Sequence, residues 1–152
     1  MAIKYLRSNL LFTMNRLFFG LLLCSSIVVT AQKKYPQDTF RSPLDIPLIL
    51  AGTFGELRSN HFHSGIDIKT QQRQGLPVYA ISDGSVTRIK ISLWGYGKAM
   101  YVAHPNGYTS VYAHLKKFSP EIEEYIKKVQ YKKQSYEVEV FPDYGEVRVE
   151  KG

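Results

Sequence analysis

The chain has very little cysteine: of its 152 residues, only Cys24 carries a thiol. A single thiol cannot form an internal disulfide, so the fold depends on core packing or on a bound metal. Long apolar runs are equally scarce. The most apolar stretch, residues 17–29, is interrupted by Cys24-Ser25-Ser26 and is shorter than the roughly 20 residues that cross a bilayer. The sequence therefore excludes a disulfide framework and argues against a membrane-spanning helix.

The amino-terminal residues have the pattern of a signal peptide. Arg16 precedes the apolar residues 17–23, and the small residues Val29-Thr30-Ala31 come before a polar run. A positive charge, an apolar stretch and small residues in this order are typical of a cleaved leader. We therefore predict a signal peptide at residues 1–31, with Met14 as an alternative start, and an exported mature protein.

The charge balance is mildly basic. The predicted leader contains Lys4, Arg7 and Arg16 and no acidic residue, so 17 of the 20 basic residues remain against 13 acidic ones, a net charge of +4. A modest basic excess suits an anionic cell envelope as well as it suits nucleic acid. Because the sequence contains no recognisable nucleic-acid-binding module, we predict no nucleic-acid partner.

Strand patterns are far more frequent than helix patterns in this chain. The candidate strands alternate apolar with polar residues or are rich in β-branched and aromatic side chains. Between two of them, Pro105-Asn106-Gly107 combines a fixed φ with residues that tolerate left-handed geometry, which predicts a hairpin. The candidates are residues 77–81, 86–91, 100–104, 108–114, 138–140 and 147–149.

One helix is predicted, over residues 119–130. Ser119 can cap it, and Pro120 suits its first position. Acidic residues near its start and lysines near its end suit the helix dipole, and we interpret the lysines as a solvated face. We therefore predict an all-β domain of mainly antiparallel sheets with one inserted helix. The apolar face of that helix is Ile122, Ile126 and Val129.

Histidine and carboxylate side chains are the candidate metal ligands. His63 and Asp67 stand four residues apart in His63-Ser64-Gly65-Ile66-Asp67, and His114 lies further along the chain. Imidazole nitrogens and carboxylate oxygens bind zinc at about 2.0 to 2.2 Å, and a catalytic zinc usually has three protein ligands and an open position for water. A lone pair of this kind also occurs by chance. The two residues are therefore half of a possible zinc site.

The predicted hairpin separates two of the histidines. His104 ends one strand, and His114 lies six residues along the next at ~3.3 Å per residue, so about 20 Å separates them. They cannot share one metal ion in that register, and we interpret His104 as a strand-end residue that makes a structural hydrogen bond. His61 points to the same side as His63 if the segment is extended, which leaves a supporting role open.

These residues belong to an ordered series of motifs along the chain. The series runs from about Ala51 to Leu115, and it resembles the lysostaphin/LytM-like zinc metallopeptidases, which cut peptide bonds in bacterial cell-wall peptidoglycan. The motifs are Gly55-Glu56-Leu57-Arg58, His63-Ser64-Gly65-Ile66-Asp67-Ile68, Gly75 to Ala80 with Asp83-Gly84 and Val86, Gly95-Tyr96-Gly97, His104-Pro105-Asn106-Gly107 and Tyr112-Ala113-His114-Leu115.

The resemblance implies a role for each candidate residue. It implies that His63 and Asp67 are zinc ligands, that His114 is a catalytic histidine near the metal-bound water, and that Arg58 helps to shape the substrate groove. It also implies a barrel-sandwich type of β domain, peptidoglycan peptides as substrates and other cell-wall hydrolases as further partners. We expect the mature protein in the periplasm or cell envelope, or secreted, without a membrane anchor.

One part of the family pattern is missing from this sequence. Family members have a further His-x-His segment whose second histidine is the third zinc ligand. We therefore expect residues 44–152, after a linker at residues 32–43, to be an N-terminal part of the peptidase domain with weak zinc binding and little or no activity alone. The alternative is a non-catalytic module that binds peptidoglycan or regulates a partner hydrolase. The intact His63, Asp67 and His114 favour the peptidase.

Overall fold

The computed structural model describes residues 39–152, so the predicted signal peptide lies outside the described residues. The described part of the chain is mostly antiparallel sheet with a single helix, which confirms the predicted all-β class. No helix in this part is long and apolar enough to cross a membrane. The elements are β1 (Leu50–Gly52), β2 (Asp67–Ile68), β3 (Gly84–Ile91), β4 (Lys98–Ala103), β5 (Thr109–Tyr112), α1 (Pro120–Lys133), β6 (Val138–Val140) and β7 (Arg148–Val149).

The larger of two sheets has five strands, all paired antiparallel. Its order is β5-β4-β3-β6, and β7 also pairs with β3. β3 is the central strand: it pairs with β4 from Ser85 to Ile91, with β6 at Ile89–Ile91 and with β7 at Gly84–Ser85. Every other strand of the sheet therefore depends directly, or through β4, on β3.

The hydrophobic core lies between this sheet and the helix. Val86 and Ile89 on β3 and Val102 on β4 are fully buried, and Ile126 of α1 is 1% exposed. A register shift between Val86 and Arg88 brings Val86 to the same face of β3 as Ile89 and Ile91. Burial of each large aliphatic side chain stabilises the fold by about 1.5 to 3 kcal/mol. The core cluster is Val86, Ile89, Ile91, Val102, Tyr112, Phe118, Ile122, Ile126, Val138 and Val140.

The predicted hairpin and helix are both confirmed. β4 and β5 pair from Met100 opposite Tyr112 to Ala103 opposite Thr109. The helix extends three residues beyond the predicted end, to Lys133. The predicted cap is wrong in one respect, because the side chain of Ser119 makes no capping hydrogen bond.

Residues 77–81 were expected to form a strand, and this prediction is wrong. The segment has no regular strand. Its backbone instead bonds to distant parts of the chain: the N–H of Tyr79 donates to the carbonyl of Pro43, and the carbonyl of Ile81 accepts the N–H of Arg41. The segment is therefore satisfied by irregular pairing, which local composition does not reveal.

The smaller sheet contains Asp67, and His63 lies in the segment that connects its two strands. It consists of β1 and β2, in which Leu50 lies opposite Ile68 and Gly52 lies opposite Asp67, with a bulge between the two pairs. Leu50 is 42% exposed, so this sheet contributes little to the core. The bulge leaves Ala51 without a partner residue opposite it in β2.

Candidate metal site and catalytic histidine

His63 is held in an irregular hairpin between the two strands of the smaller sheet. Its backbone N–H donates to the carbonyl of Glu56 at 2.8 Å, and its own carbonyl accepts the N–H of Gly55 at 2.8 Å. An isolated bridge between Leu57 and Phe62 closes the hairpin nearer its turn. The backbone of His63 is thus fixed on both sides before its side chain makes any contact.

The side chain of His63 presents one ring nitrogen to Asp67. Nδ1 lies 3.0 Å from the carbonyl oxygen of Thr53. A carbonyl can only accept, so Nδ1 carries a hydrogen, and in the neutral tautomer Nε2 bears the lone pair. Nε2 in turn lies 3.4 Å from Oδ1 of Asp67. Two acceptors therefore face each other, an arrangement that a cation between them would stabilise.

The spacing of these two acceptors fits a small tetrahedral cation. Two donor atoms bound at about 2.0 to 2.1 Å to one tetrahedral ion lie about 3.3 to 3.4 Å apart, and Nε2 of His63 and Oδ1 of Asp67 are separated by 3.4 Å. The hydrogen bond from Nδ1 to a carbonyl is the further contact that metal-ligating histidines usually make. Nitrogen and carboxylate donors with this geometry suit zinc.

Arg58 holds the other oxygen of Asp67. Its Nη2 donates to Oδ2 of Asp67 at 2.9 Å and lies 3.5 Å from Oε2 of Glu56. The same glutamate oxygen accepts the N–H of Thr53 at 3.0 Å. Nη2 also lies 3.4 Å from Nδ1 of His63, but both groups carry hydrogens and neither accepts. The guanidinium therefore leaves Oδ1 of Asp67 directed toward His63.

Gly52 provides the space for this ion pair. A Cβ at Gly52 would lie 2.4 Å from Nη2 of Arg58 and 2.5 Å from Oδ2 of Asp67. Both distances are well below van der Waals contact, so any side chain at this position would push the pair away. The end of β1 and the residue after it thus shape the site twice, through the missing side chain of Gly52 and through the carbonyl of Thr53.

His114 lies just after β5 in a strained backbone conformation. Its φ is 55°, in the left-handed region that non-glycine residues seldom adopt. The N–H of His114 donates to the carbonyl of Tyr96 at 3.0 Å, and the N–H of Leu115 donates to the carbonyl of Lys98 at 3.1 Å. Its side chain is exposed and makes no hydrogen bond within the described residues. The imidazole of His114 is therefore accessible to a substrate or to water.

Tyr96 connects His114 with the segment that carries the metal ligands. Its hydroxyl lies 2.8 Å from Oγ of Ser64, the residue that follows His63. Its ring meets the imidazole of His114 edge-on, with ring centroids 6.2 Å apart. The structure therefore brings the two predicted parts of the site together through one side chain.

The side chains of the other two histidines have partners elsewhere in the described residues. His104 is 5% exposed; its Nδ1 lies 2.8 Å from the carbonyl of Asp83 and its Nε2 lies 2.8 Å from Oγ of Ser110. The predicted structural hydrogen bond of His104 is thus confirmed. His61 is exposed and its Nδ1 lies 2.6 Å from Oδ1 of its neighbour Asn60.

The described residues bring two candidate ligands together, not three. Across residues 39–152, no three His, Cys, Asp or Glu side chains lie close enough to hold one metal ion. His63 and Asp67 form a pair, and His114 joins them only through Tyr96. The roles of these three residues stay predictions.

Three contributors to the site were not expected from the sequence. The carbonyl of Thr53, the space above Gly52 and the hydroxyl of Tyr96 all act through the folded chain. The sequence offers one signal for Tyr96, because it lies between Gly95 and Gly97. In the structure these glycines have φ values of 71° and 60°, as in a sharply turned loop.

Part of the chain is similar to peptidases of two Neisseria species. It is 43% identical over 63 residues to the DD-carboxypeptidase/endopeptidase Mpg of Neisseria meningitidis serogroup B and, at the same identity, to that of Neisseria gonorrhoeae. The matched region covers 41% of this chain and 14% of the length of each relative. No solved structure matches the chain at a significant level.

A family comparison covers the predicted site. Residues 61–131 match the sequence model of Peptidase family M23, and the matched range contains His63, Asp67, Tyr96 and His114. This match confirms the resemblance to LytM-like peptidases that the ordered motifs indicated. Residues 61–131 of this chain are therefore similar to Peptidase family M23.

Proposed function

We propose that this chain carries a zinc metalloendopeptidase site that hydrolyses peptide bonds in bacterial peptidoglycan. Two findings support the assignment of a peptidase that acts on peptidoglycan: the match of residues 61–131 to Peptidase family M23 and the peptidase name of the Neisseria relatives. The observation that carries the zinc assignment is the 3.4 Å approach of Nε2 of His63 to Oδ1 of Asp67, with Nδ1 already bonded to Thr53.

The chain's own residues divide the work of hydrolysis. His63 and Asp67 would hold the zinc ion, Thr53 orients the imidazole and Arg58 fixes the carboxylate. When bound, zinc supplies Lewis acidity and lowers the pKa of water toward ~7. His114 would accept the proton of the attacking water as the C–O bond forms and return it to the leaving amine as the C–N bond breaks. No covalent acyl-enzyme is needed.

We further propose that this polypeptide alone binds zinc weakly. The described residues supply His63 and Asp67, and no group of three ligands forms among them. Two protein ligands hold zinc less tightly than the three of an ordinary catalytic site. The expected activity is therefore slow and requires zinc well above its dissociation constant.

The test is hydrolysis of cross-linked peptidoglycan peptides by the purified chain in excess zinc. We expect new amino groups to appear slowly, and we expect His63→Ala, Asp67→Ala and His114→Ala each to abolish their release. His61→Ala is the matched control, because it removes an exposed histidine close in sequence and should retain activity. Equal rates in the wild-type chain and the three site variants would contradict the proposal.

The alternative is a non-catalytic module that binds peptidoglycan or regulates a partner hydrolase. The pair of ligands in place of three is the observation that favours it. Sedimentation with insoluble peptidoglycan separates the two functions: tight binding by the wild-type chain and by all three site variants, without hydrolysis, would support the module.

Either function requires an exported protein, and we propose that residues 1–31 act as its signal peptide.

A further inference from the structure

Tyr96 makes contacts that a surface side chain does not need for stability. It is 44% exposed and absent from the buried core, so its packing contributes little to folding. Its three polar or aromatic contacts nevertheless all involve the candidate site: the hydroxyl meets Ser64, the ring meets His114, and the carbonyl accepts the N–H of His114.

The loop that carries Tyr96 is fixed at both ends. The N–H of Ser92 donates to the carbonyl of Gly97 at 3.1 Å, which closes the loop on itself. The N–H of Leu93 donates to Oε1 of Glu137 at 2.6 Å, and Nζ of Lys98 donates to Oε1 of Glu123 on α1 at 2.7 Å. These hydrogen bonds restrict the conformations of the loop and therefore the position of the Tyr96 side chain.

His114 needs an external support to stay where it is. A left-handed backbone costs a residue with a Cβ about 1 to 2 kcal/mol, and such residues persist only where their surroundings hold them. The contacts to Tyr96 are the support that the structure shows for the backbone N–H and the ring of His114. Without the side chain of Tyr96, the imidazole would lose its only ring contact in the described part of the chain.

We propose that Tyr96 is a positioning residue that sets the imidazole of His114 relative to the His63–Asp67 pair. Its hydroxyl ties the loop to Ser64, next to the first ligand, and its ring edge locates His114. The inference rests on the proposed peptidase function for its consequence, because it makes the placement of the catalytic histidine depend on a residue that touches neither ligand. Loss of the hydroxyl then lowers kcat and leaves KM and zinc affinity unchanged.

The first test is amide hydrogen exchange at His114 in the zinc-free chain, measured by NMR. Tyr96→Phe and Ser64→Ala each remove one partner of the same hydrogen bond, so each should raise the exchange rate of the His114 amide about fivefold. The double variant should exchange no faster than either single variant, because both changes break one bond. Tyr96→Leu also removes the ring and should shift the ring protons of His114.

Tyr136→Phe is the matched control. Tyr136 is 62% exposed, and its hydroxyl makes no hydrogen bond among residues 39–152, so the exchange of His114 should not change. Wild-type exchange in both Tyr96→Phe and Ser64→Ala, or additive effects in the double variant, would overturn the proposal. An unchanged far-UV circular dichroism spectrum in each variant confirms that the fold is retained.

A second measurement separates this inference from the proposed function. In excess zinc, Tyr96→Phe should lower kcat about tenfold at constant KM, as expected when an interaction is lost only in the transition state. Coupled exchange effects without hydrolysis by the wild-type chain would support the positioning role and contradict the peptidase. Hydrolysis with equal kcat in the wild-type chain and Tyr96→Phe would contradict the positioning role and support the peptidase.

Discussion

Different kinds of interaction determine the geometry of the two sheets of this domain. In the five-stranded sheet, Val86 and Ile89 of the central strand are fully buried, and dispersion and hydrophobic contacts dominate. In the two-stranded sheet, Leu50 is 42% exposed, and the Asp67 side chain is 44% exposed. There the geometry is set by an ion pair, a carbonyl and a missing side chain.

The contrast teaches that stability and chemistry are located in different places. A change in the large sheet should unfold the domain, whereas a change in the small sheet should disturb the metal ligands and leave the fold intact. His114 lies between these extremes, because it follows the buried Tyr112 of β5 and yet projects an exposed imidazole. Substitutions in the two regions can break or sharpen this distinction.

The largest expected effect is on unfolding, in the large sheet. Ile89→Ala removes a fully buried side chain from β3 and should lower the free energy of unfolding by about 2 to 5 kcal/mol. Leu50→Ala is the matched control in the small sheet and should cost less than about 1 kcal/mol. Urea denaturation measures both, and equal losses would break the comparison.

The next effect is on zinc affinity, in the small sheet. Gly52→Ala would place a Cβ 2.4 Å from Arg58 and 2.5 Å from Asp67. Both atoms are the ends of flexible side chains, so the pair should move and the fold should survive. We expect zinc affinity to fall about tenfold, which corresponds to about 1.4 kcal/mol, with little change in urea midpoint.

Gly65→Ala is the control for this substitution. It lies between the two ligands in sequence, but a Cβ there meets nothing within 4 Å. Zinc titration of the two variants should therefore separate them. A loss of affinity in Gly65→Ala as large as that in Gly52→Ala would show that the ion pair is not what positions Asp67.

A smaller effect is expected at the strained backbone of His114. Its φ of 55° favours glycine, so His114→Gly should be more stable than His114→Ala by about 0.5 to 1 kcal/mol. Thermal unfolding of the two variants measures the difference. Ala113→Gly, at a neighbour without positive φ, should instead be destabilising. A less stable His114→Gly than His114→Ala would contradict the strain.

The smallest effect concerns Glu123, which links α1 to the loop of Tyr96. Burial alone would raise the pKa of Glu123, but the hydrogen bonds from Lys98 and from the N–H of Phe118, with the charges of Lys98 and Lys117, together lower it. The pKa of Glu123 in the folded state is below its unfolded value of about 4.3. The ionised side chain therefore stabilises the fold above that pH. This stabilisation is lost as the pH falls through the folded-state pKa.

Glu123→Gln should therefore be less stable than wild type at neutral pH, and the difference should shrink below about pH 4. Urea midpoints between pH 7 and pH 3 measure this change. Glu124→Gln is the control, because its ion pair with Lys128 is exposed on both sides and contributes little. If the urea midpoints of Glu123→Gln and wild type differ by the same amount from pH 7 to pH 3, the ionised form of Glu123 does not stabilise the fold.

The sequence predicted the parts of this domain that depend on local pattern. Each of these parts is determined by residues close together in sequence. They are the turn at Pro105-Asn106-Gly107, the helix after Ser119 and the spacing of His63 and Asp67. Residues 77–81 were predicted wrongly because their partners are distant in sequence. Composition alone cannot tell a strand from an extended segment with irregular pairing.

The site was predictable in its chemistry and not in its support. The ligand types follow from the affinity of zinc for imidazole and carboxylate. The contact of Ser64 with Tyr96 spans 32 residues, and that of His63 with Thr53 spans 10, so both depend on the sheets and loops that form between them. These supporting contacts decide how the ligands are aimed.

Calorimetric titration of zinc into the purified chain tests the central claim most directly. We expect one weak site per chain that is lost in His63→Ala and in Asp67→Ala and retained in His61→Ala, whose imidazole is bonded to Asn60. Zinc binding that is equal in the wild-type chain and in both ligand variants would contradict the assignment of His63 and Asp67 as the metal pair.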